Sequence, residues 1–137
     1  MQSIGAVAQS SKIAYGRIKD YVTQTLCLGS RVHEGLFFKT ENFQKTGSSK
    51  FRGATAKLSS LGNDVPVITA SSGNHGIACS QAAVTTGHAL TVVLPESVAR
   101  AKLSKIQSFG VKTILHPGDS GRAERHAFDH DAVAALR

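Results

Sequence analysis

Residues 65–78, VPVITASSGNHGIA, join a short apolar run to a polar turn and then to an alanine-rich stretch. The run VPVITA (65–70) is short and rich in β-branched residues, which predicts a buried strand. Residues 74–86 predict a packed helix, and Gly87 is well placed to end that helix as a left-handed cap. A strand that passes through a tight turn into a helix is the repeating unit of parallel α/β proteins.

The same unit recurs along the second half of the chain. ALTVVL (89–94) and VKTILH (111–116) are two more short apolar runs that predict buried strands. Residues 97–109, followed by Gly110, and residues 120–136 predict two more helices. This alternation predicts an α/β fold with a parallel sheet, here of three strands, and flanking helices.

The first half of the chain has a less regular pattern. It predicts a helix at 11–22, a strand at 35–40 and a helix at 49–61. Gly62, Asn63 and Asp64 then break the chain. We therefore expect two units, residues 1–60 and a small α/β domain at residues 65–137.

Composition restricts the classes of function. The chain has 137 residues, the size of one ordinary domain, and a formal net charge of +7. Its basic residues are scattered and no RNA-reading aromatic motif is present, so a solubilising surface is favoured over a nucleic-acid-binding α/β module. That module remains the weakest alternative.

The expected compartment is cytoplasmic. Cys27 and Cys79 form no CxxC pair, which favours free buried thiols in a reducing environment over a disulfide. The N-terminus lacks the features of a signal peptide, and no apolar run approaches the roughly 18 residues that a membrane span needs. We expect no membrane partner.

The turn at residues 71–74 is a candidate anion site. Parallel α/β sheets bind ligands beyond the carboxyl ends of their strands, and a helix N-terminus there presents free backbone N–H groups. Such groups suit a carboxylate or a phosphate, and Gly73 would allow a close approach. A serine at 71 or 72 that only caps the helix explains the same spacing, so both interpretations stay open.

A second stretch, TGSSKFRGA (46–54), brings Lys50 to the first turn of a helix through a flexible turn. With SSGNHG, it resembles the fold type II pyridoxal-phosphate enzymes, most closely the serine racemase and serine/threonine ammonia-lyase family. That family's pattern is close to E-N-x-Q-x-T-G-[SA]-F-K-x-R-G-A followed by S-[SA]-G-N-H. Residues 41–54 here read ENFQKTGSSKFRGA, and the resemblance extends from about Ile13 to the C-terminus.

The resemblance implies a tryptophan-synthase-β-like fold and pyridoxal 5'-phosphate as the cofactor. Lys50 would be the Schiff-base lysine, and Asn74 would bond the cofactor's ring oxygen. Ser72 would face the opposite side of the ring from Lys50 and serve as a second acid/base. The substrate carboxylate would be held by the backbone N–H groups of Ser71, Ser72, Gly73, Asn74 and His75.

The implied activity is that of an ammonia-lyase or a racemase acting on serine, threonine or another β-hydroxy amino acid, with a homodimer as the full-length form. Lys50 would take the α-proton, and a proton returned from the side of Ser72 would invert the centre. His126 and His130 are spaced i, i+4 and could bind a metal, but no third ligand is evident, so a solvated helix face is favoured and no metal is expected.

Three departures from the family pattern limit the expectation. Ser49 replaces the usual aromatic before the lysine, and Thr25-Leu26-Cys27 lacks the proline of the family's early motif. Family members are more than twice as long, and their phosphate loop and pyridine-nitrogen partner lie downstream. The resemblance therefore predicts an incomplete fold that is inactive by itself. A non-catalytic fragment, or a partner of a full-length homologue, is the alternative.

Overall fold

A computed structural model describes residues 3–128 and 134–136 of the chain. The helices are α1 (Ile4–Ile18), α2 (Lys50–Leu58), α3 (Asn74–Thr86), α4 (Arg100–Gln107) and α5 (Ser120–Phe128), with a 3₁₀ turn at Glu41–Phe43. The strands are β1 (Cys27–Gly29), β2 (Phe37–Lys39), β3 (Val67–Ala70), β4 (Leu90–Pro95), β5 (Lys112–His116) and β6 (Ala134–Leu136).

The main sheet is parallel. Its strand order is β5-β4-β3-β6, with Val67 paired to Leu90 and Ala70 to Val93 in neighbouring strands. Strands β1 and β2 form a separate antiparallel ribbon. The predicted α/β fold with a parallel sheet and flanking helices is confirmed.

Alternating side chains of the sheet divide the core between its two faces. Val67, Val92 and Leu94 belong to a large cluster with α3 and with Ile106 of α4. The intervening residues of the same strands pack instead against α5, in a smaller cluster made of Ile68, Val93, Ala123 and Ala127. Helices therefore cover both faces of the sheet, as in a doubly wound α/β fold.

Helix α2 packs against α3 and so extends the larger core into the first half of the chain. Its buried residues are Phe51, Ala54, Thr55 and Leu58, the i, i+3, i+4, i+7 spacing of one helix face. The facing side of α3 carries the small residues Ala78, Ala82 and Ala83, which are fully buried. The core is thus continuous across residues 61–64, and the division of the chain into two units stays a prediction.

The last predicted helix, 120–136, is wrong in its second half. Helix α5 ends at Phe128, and Ala134–Leu136 pair in parallel with β3 as β6, which makes four strands rather than three. Alanine-rich sequence favours a helix locally, but pairing with β3 supplies ladder hydrogen bonds to an edge that would otherwise be open.

Two further differences lie in the first half. The opening helix, predicted at 11–22, runs instead from Ile4 to Ile18 and begins where the side chain of Ser3 accepts a hydrogen bond from Ala6 N. Strand β1 was not predicted, because three exposed residues have no apolar alternation. The strand predicted at 35–40 is confirmed as β2, and Gly87 has the left-handed backbone (φ 75°) expected of a cap.

Candidate functional site

The turn between β3 and α3 is held by one hydrogen bond to the neighbouring strand and one within the turn. Ser71 N donates to Val93 O of the neighbouring strand at 3.2 Å, and Gly73 N donates to Ser71 Oγ at 3.2 Å. The N-cap residue of α3 is Gly73, and no side chain caps the helix. Neither serine therefore caps α3, so the capping interpretation of this turn is wrong.

The turn leaves backbone donors at the positive end of a 13-residue helix. Among the residues that the structure describes, none accepts a hydrogen bond from the backbone N–H of Ser72 or of Asn74. Asn74 is exposed, and Ser71, Ser72 and Gly73 are half-buried. A Cβ added at Gly73 would meet only Ser71 Oγ, at 4.0 Å, so the space above this backbone is open. This arrangement suits a carboxylate or a phosphate.

Gly76 determines how closely the turn approaches α3. A Cβ built at this position would lie 2.3 Å from Ser71 O and 3.3 Å from Ile106 Cδ1. Only glycine allows the carbonyl of Ser71 to rest on the helix, and this contact keeps the turn folded over the first turn of α3. The spacing of the motif gives no reason for this glycine; the close contact in the structure does.

A cavity of about 200 Å³ opens at the carboxyl ends of β3 and β4. It is lined by Ala70, Ser71, Ser72, Gly73, Pro95, Ser120 and Ala123. The chain passes from β3 to β4 on one side and later returns to pair β6 on the other, so the strand order reverses at β3. Ligands of open α/β sheets bind at such reversals.

The remaining predicted site residues are not in the wall of this cavity. Lys50 is the first residue of α2 and is exposed. His75 lies in the first turn of α3 with its Nε2 3.4 Å from Cys79 Sγ. The structure thus brings Ser71, Ser72 and Gly73 together around the cavity, and it places Lys50 on a neighbouring helix packed against α3.

Cys79 does not have the properties of a nucleophile. Burial raises the pKa of its thiol to about 12, with a hydrogen bond from Thr69 acting in the opposite direction. The thiol therefore stays protonated at neutral pH. Both cysteines are free; Cys79 is buried as expected, but Cys27 is exposed, so the expectation of a buried thiol is wrong there.

The turn before Lys50 contains uncompensated polar atoms. Gly47 has a φ of 75°, a left-handed backbone that glycine adopts without strain. Thr46 Oγ1 and Ser48 Oγ are buried and have no hydrogen-bond partner in the described part of the chain. Buried hydroxyls without partners are unfavourable, and they can be satisfied by a ligand or water.

A polar cluster joins Arg52 of α2 to Glu41 and Thr25, and the sequence predicted no role for it. Arg52 Nε and Nη2 donate to Glu41 Oε2 and Oε1, both at 2.9 Å, and Thr25 Oγ1 donates to Glu41 Oε1 at 2.6 Å. Lys39 Nζ is 3.9 Å from the same carboxylate. The hydrogen bond from Arg52 is the main cause that lowers the pKa of Glu41 from 4.5 to about 2.

Comparison with known proteins decides the family. The family model described as pyridoxal-phosphate dependent enzyme matches residues 19–135. The chain belongs to this family. The family's cofactor is pyridoxal phosphate, so the predicted resemblance and its cofactor are confirmed at family level.

Individual relatives carry related names. Serine racemase of Mus musculus is 37% identical over 121 residues, which are 80% of this chain and 36% of that protein. L-threo-3-hydroxyaspartate ammonia-lyase of Saccharomyces cerevisiae is 38% identical over 111 residues, 75% of this chain and 34% of that protein. The solved structure of maize serine racemase has a TM-score of 0.82 at 28% identity and covers 94% of this chain and 43% of its own. The chain spans about a third of the length of these curated relatives.

The residues present fit the cofactor of the family. In the described residues, an accessible amine at Lys50, unpartnered hydroxyls in the turn before it and N–H groups without acceptors at Ser72 and Asn74 suit an aldehyde-bearing anion and a carboxylate.

No set of three or more His, Cys, Asp or Glu side chains in the described residues is grouped so as to hold a metal ion. The ring of His126 lies 4.8 Å from that of His116, and His130 is outside the described residues. In residues 3–128 and 134–136, no helix is both long and apolar enough to cross a membrane.

Gly76→Ala should distort the turn and lower stability, because the new methyl group would overlap Ser71 O. We expect a loss of about 1 to 3 kcal/mol in the free energy of unfolding, measured by urea denaturation. Gly53→Ala is the matched control, since a Cβ there meets nothing within 4 Å and the position is inside a helix. That change should stabilise by about 0.5 to 1 kcal/mol. Equal stability of the two variants would contradict the proposed contact.

Glu41 should raise the free energy of unfolding at neutral pH and lose this contribution in acid. Its pKa is lowered from 4.5 to about 2 in the folded chain, so its contribution is complete above pH 4.5 and is lost as pH falls toward 2. We expect wild type to exceed Glu41→Gln by about 1 to 2 kcal/mol at pH 7, and this gap to fall below about half by pH 3. Urea unfolding at both pH values measures the gap. A gap that does not change with pH would show that the charge of Glu41 is not involved.

Proposed function

We propose that this chain supplies the lysine and the carboxylate-binding turn of a pyridoxal-phosphate-dependent ammonia-lyase or racemase that acts on a small hydroxy amino acid. The observation that carries the proposal is the pairing of an accessible lysine at the start of α2 with a turn of unpartnered N–H groups at the start of α3. The relatives' names specify serine and hydroxyaspartate, and we extend that class of small substrate to this chain.

The cofactor, when bound, supplies an electron sink that makes the α-proton of an amino acid acidic. In this proposal, the Lys50 amine would hold the cofactor aldehyde and, once released, would take the α-proton. The backbone N–H groups of residues 71–75 hold the substrate carboxylate, with those of Ser72 and Asn74 available as donors. Asn74, the exposed first residue of α3, would hold the cofactor ring through its side-chain amide.

Ser72 is proposed as the second acid/base. It lines the cavity and is half-buried, a position from which its hydroxyl can reach a group held by the turn. A proton delivered from Ser72 to the face opposite Lys50 would complete racemisation, whereas elimination of a β-hydroxyl needs only the Lys50 side. Ser72 therefore decides between the two activities in this proposal.

A non-catalytic role is the second candidate. The chain spans only 36% of mouse serine racemase, and the resemblance places the phosphate-binding loop in the part that follows. A fragment of this kind would keep the sheet and the turn but hold the phosphate poorly. It would act through a full-length homologue rather than by itself.

We further propose a cytoplasmic location, two units at 1–60 and 65–137, and a homodimer for the full-length enzyme. The free thiols of Cys27 and Cys79 support a reducing compartment. No nucleic-acid partner is proposed, since the basic residues remain scattered along the sequence.

Lys50 should be the residue that the cofactor labels. We expect borohydride treatment with pyridoxal phosphate, followed by peptide mapping, to place the adduct on Lys50. Lys50→Arg keeps the positive charge but cannot form the bond, so labelling at this site should vanish. Lys45→Arg is the control and should be labelled at Lys50 like wild type. An adduct on Lys45 or Lys57, with Lys50 untouched, would remove the basis of the proposal.

Ser72→Ala should separate the two activities wherever the protein is active. The change keeps the backbone N–H group, so substrate binding and elimination of L-serine should largely persist. Interconversion of D- and L-serine should fall by roughly 100-fold or more, because a positioned acid/base contributes about that factor. Chiral chromatography and ammonia release measure the two activities. Equal loss of both would assign Ser72 to binding, and unchanged racemisation would assign the proton to another group.

A further inference from the structure

We propose that Glu41 and Arg52 are positioning residues that fix the start of α2, and with it Lys50. This inference rests on the role proposed above for Lys50, but the ion pair itself is a feature of the fold. Among the residues that the structure describes, the Lys50 side chain is exposed and no hydrogen bond or ion pair holds its amine. Its amine can therefore be placed only by the helix that carries it.

The ion pair has the geometry of a two-bond fork. Arg52 Nε and Nη2 each donate to a different oxygen of Glu41 at 2.9 Å, and Nη2 also donates to Thr23 O at 2.8 Å. A planar guanidinium bound by three such bonds has a fixed orientation as well as a fixed distance. The two side chains retain only 26% and 16% of their exposure, so solvent screening is reduced.

The residues that bind Arg52 are themselves held by further hydrogen bonds. Gln44 binds both backbone groups of Thr23: its Oε1 accepts from Thr23 N and its Nε2 donates to Thr23 O, both at 2.9 Å. Gln44 is buried, with 3% of its surface exposed. Thr25 Oγ1 donates to Glu41 from the same segment. Bonds to Gln44 and Glu41 therefore hold the segment 23–25, whose Thr23 carbonyl accepts a hydrogen bond from Arg52.

Helix geometry determines where Lys50 lies relative to Arg52, which this segment binds. Lys50 and Arg52 are two residues apart on α2, which places their side chains about 200° apart around the helix axis. Arg52 therefore holds the helix from one side while Lys50 projects from the other. The turn before Lys50 contains Gly47, and the first amides of α2 bond to this turn, Phe51 N to Ser48 O at 3.5 Å and Arg52 N to Ser49 O at 3.1 Å. Phe51 is packed in the core, so the fork adds the directional constraint that this apolar contact lacks.

The fold should survive loss of the fork. Phe51, Ala54 and Leu58 remain packed in the core shared with α3 and do not depend on the ion pair. Arg52→Lys keeps the charge but removes the fork, and Glu41→Gln keeps the shape but removes the charge. Arg17→Lys is the matched control, because Arg17 also bonds α2, but through a single bond of 3.4 Å to Ala56 O near its other end.

Two readouts on the whole chain test the inference. Amide hydrogen exchange reports the order of the first turn of α2 without any cofactor. Borohydride fixation with pyridoxal phosphate gives the ratio of adduct on Lys50 to adduct on Lys57, which lies on the same helix and serves as an internal reference. Both are measured at a temperature at which circular dichroism shows each variant to be folded.

We expect exchange at the first turn of α2 to accelerate about tenfold or more in both test variants, the scale of a lost charge-assisted bond, with α3 unchanged. The Lys50 to Lys57 ratio should fall by roughly tenfold to a hundredfold, as for a misplaced reactive group. Arg17→Lys should match wild type in both. Unchanged exchange at α2 would overturn the inference. Faster exchange throughout α2, α3 and the sheet with an unchanged ratio would make the pair a general stabiliser, which also overturns it.

Failure of the proposed function gives a different result. If wild type carries no adduct on Lys50, the role of that lysine is wrong, and hydrogen exchange alone decides whether the pair fixes the helix start. If wild type is labelled on Lys50 and the test variants keep the wild-type ratio, the positioning role is wrong while the proposed function stands.

Discussion

The contact between the Ser71 carbonyl and Gly76 is the constraint on which the candidate site depends. A backbone carbonyl can rest on a helix only where no Cβ intervenes, and a Cβ at Gly76 would lie 2.3 Å from Ser71 O. In this folded turn, Ser71 N bonds Val93 O of β4, and the N–H groups of Ser72 and Asn74 have no acceptor among the described residues. Gly76 thus allows the turn after β3 to pack against the first turn of α3.

The second half of the site is held by a different kind of interaction. Helix α2 is bound to α3 by apolar packing, which fixes the distance between the helices but constrains rotation and sliding less. The directional bonds of Arg52 to Glu41 and Thr23 supply the missing constraint. Apolar contact therefore holds α2 against α3, and the directional polar contact orients the start of α2, where Lys50 lies.

The sequence was sufficient for those features whose signal is local. Short β-branched runs predicted β3, β4 and β5, and the serine- and glycine-rich stretch after β3 predicted the turn that precedes α3. Contacts between distant residues could not be predicted in this way. Glu41 and Arg52 are joined by a loop whose path has no local pattern, and β6 pairs with a strand 67 residues earlier, against the helical preference of its alanines. The close approach at Gly76 likewise depends on where Ser71 lies after folding.

Buried polar side-chain atoms without hydrogen-bond partners lower the stability of a fold, and in the described residues two of them lie next to Lys50. Thr46 Oγ1 and Ser48 Oγ are two of the four buried, unpartnered side-chain atoms found in the described residues, and both lie in the turn that precedes Lys50. Each such group costs about 1 to 3 kcal/mol when nothing replaces its lost water. At the turn before α3, the N–H groups of Ser72 and Asn74 likewise have no acceptor among the described residues. Stability by itself would favour apolar side chains at 46 and 48. The hydroxyls there therefore cost stability that the packing of the described residues does not return, and a ligand or water bonded to them would offset this cost.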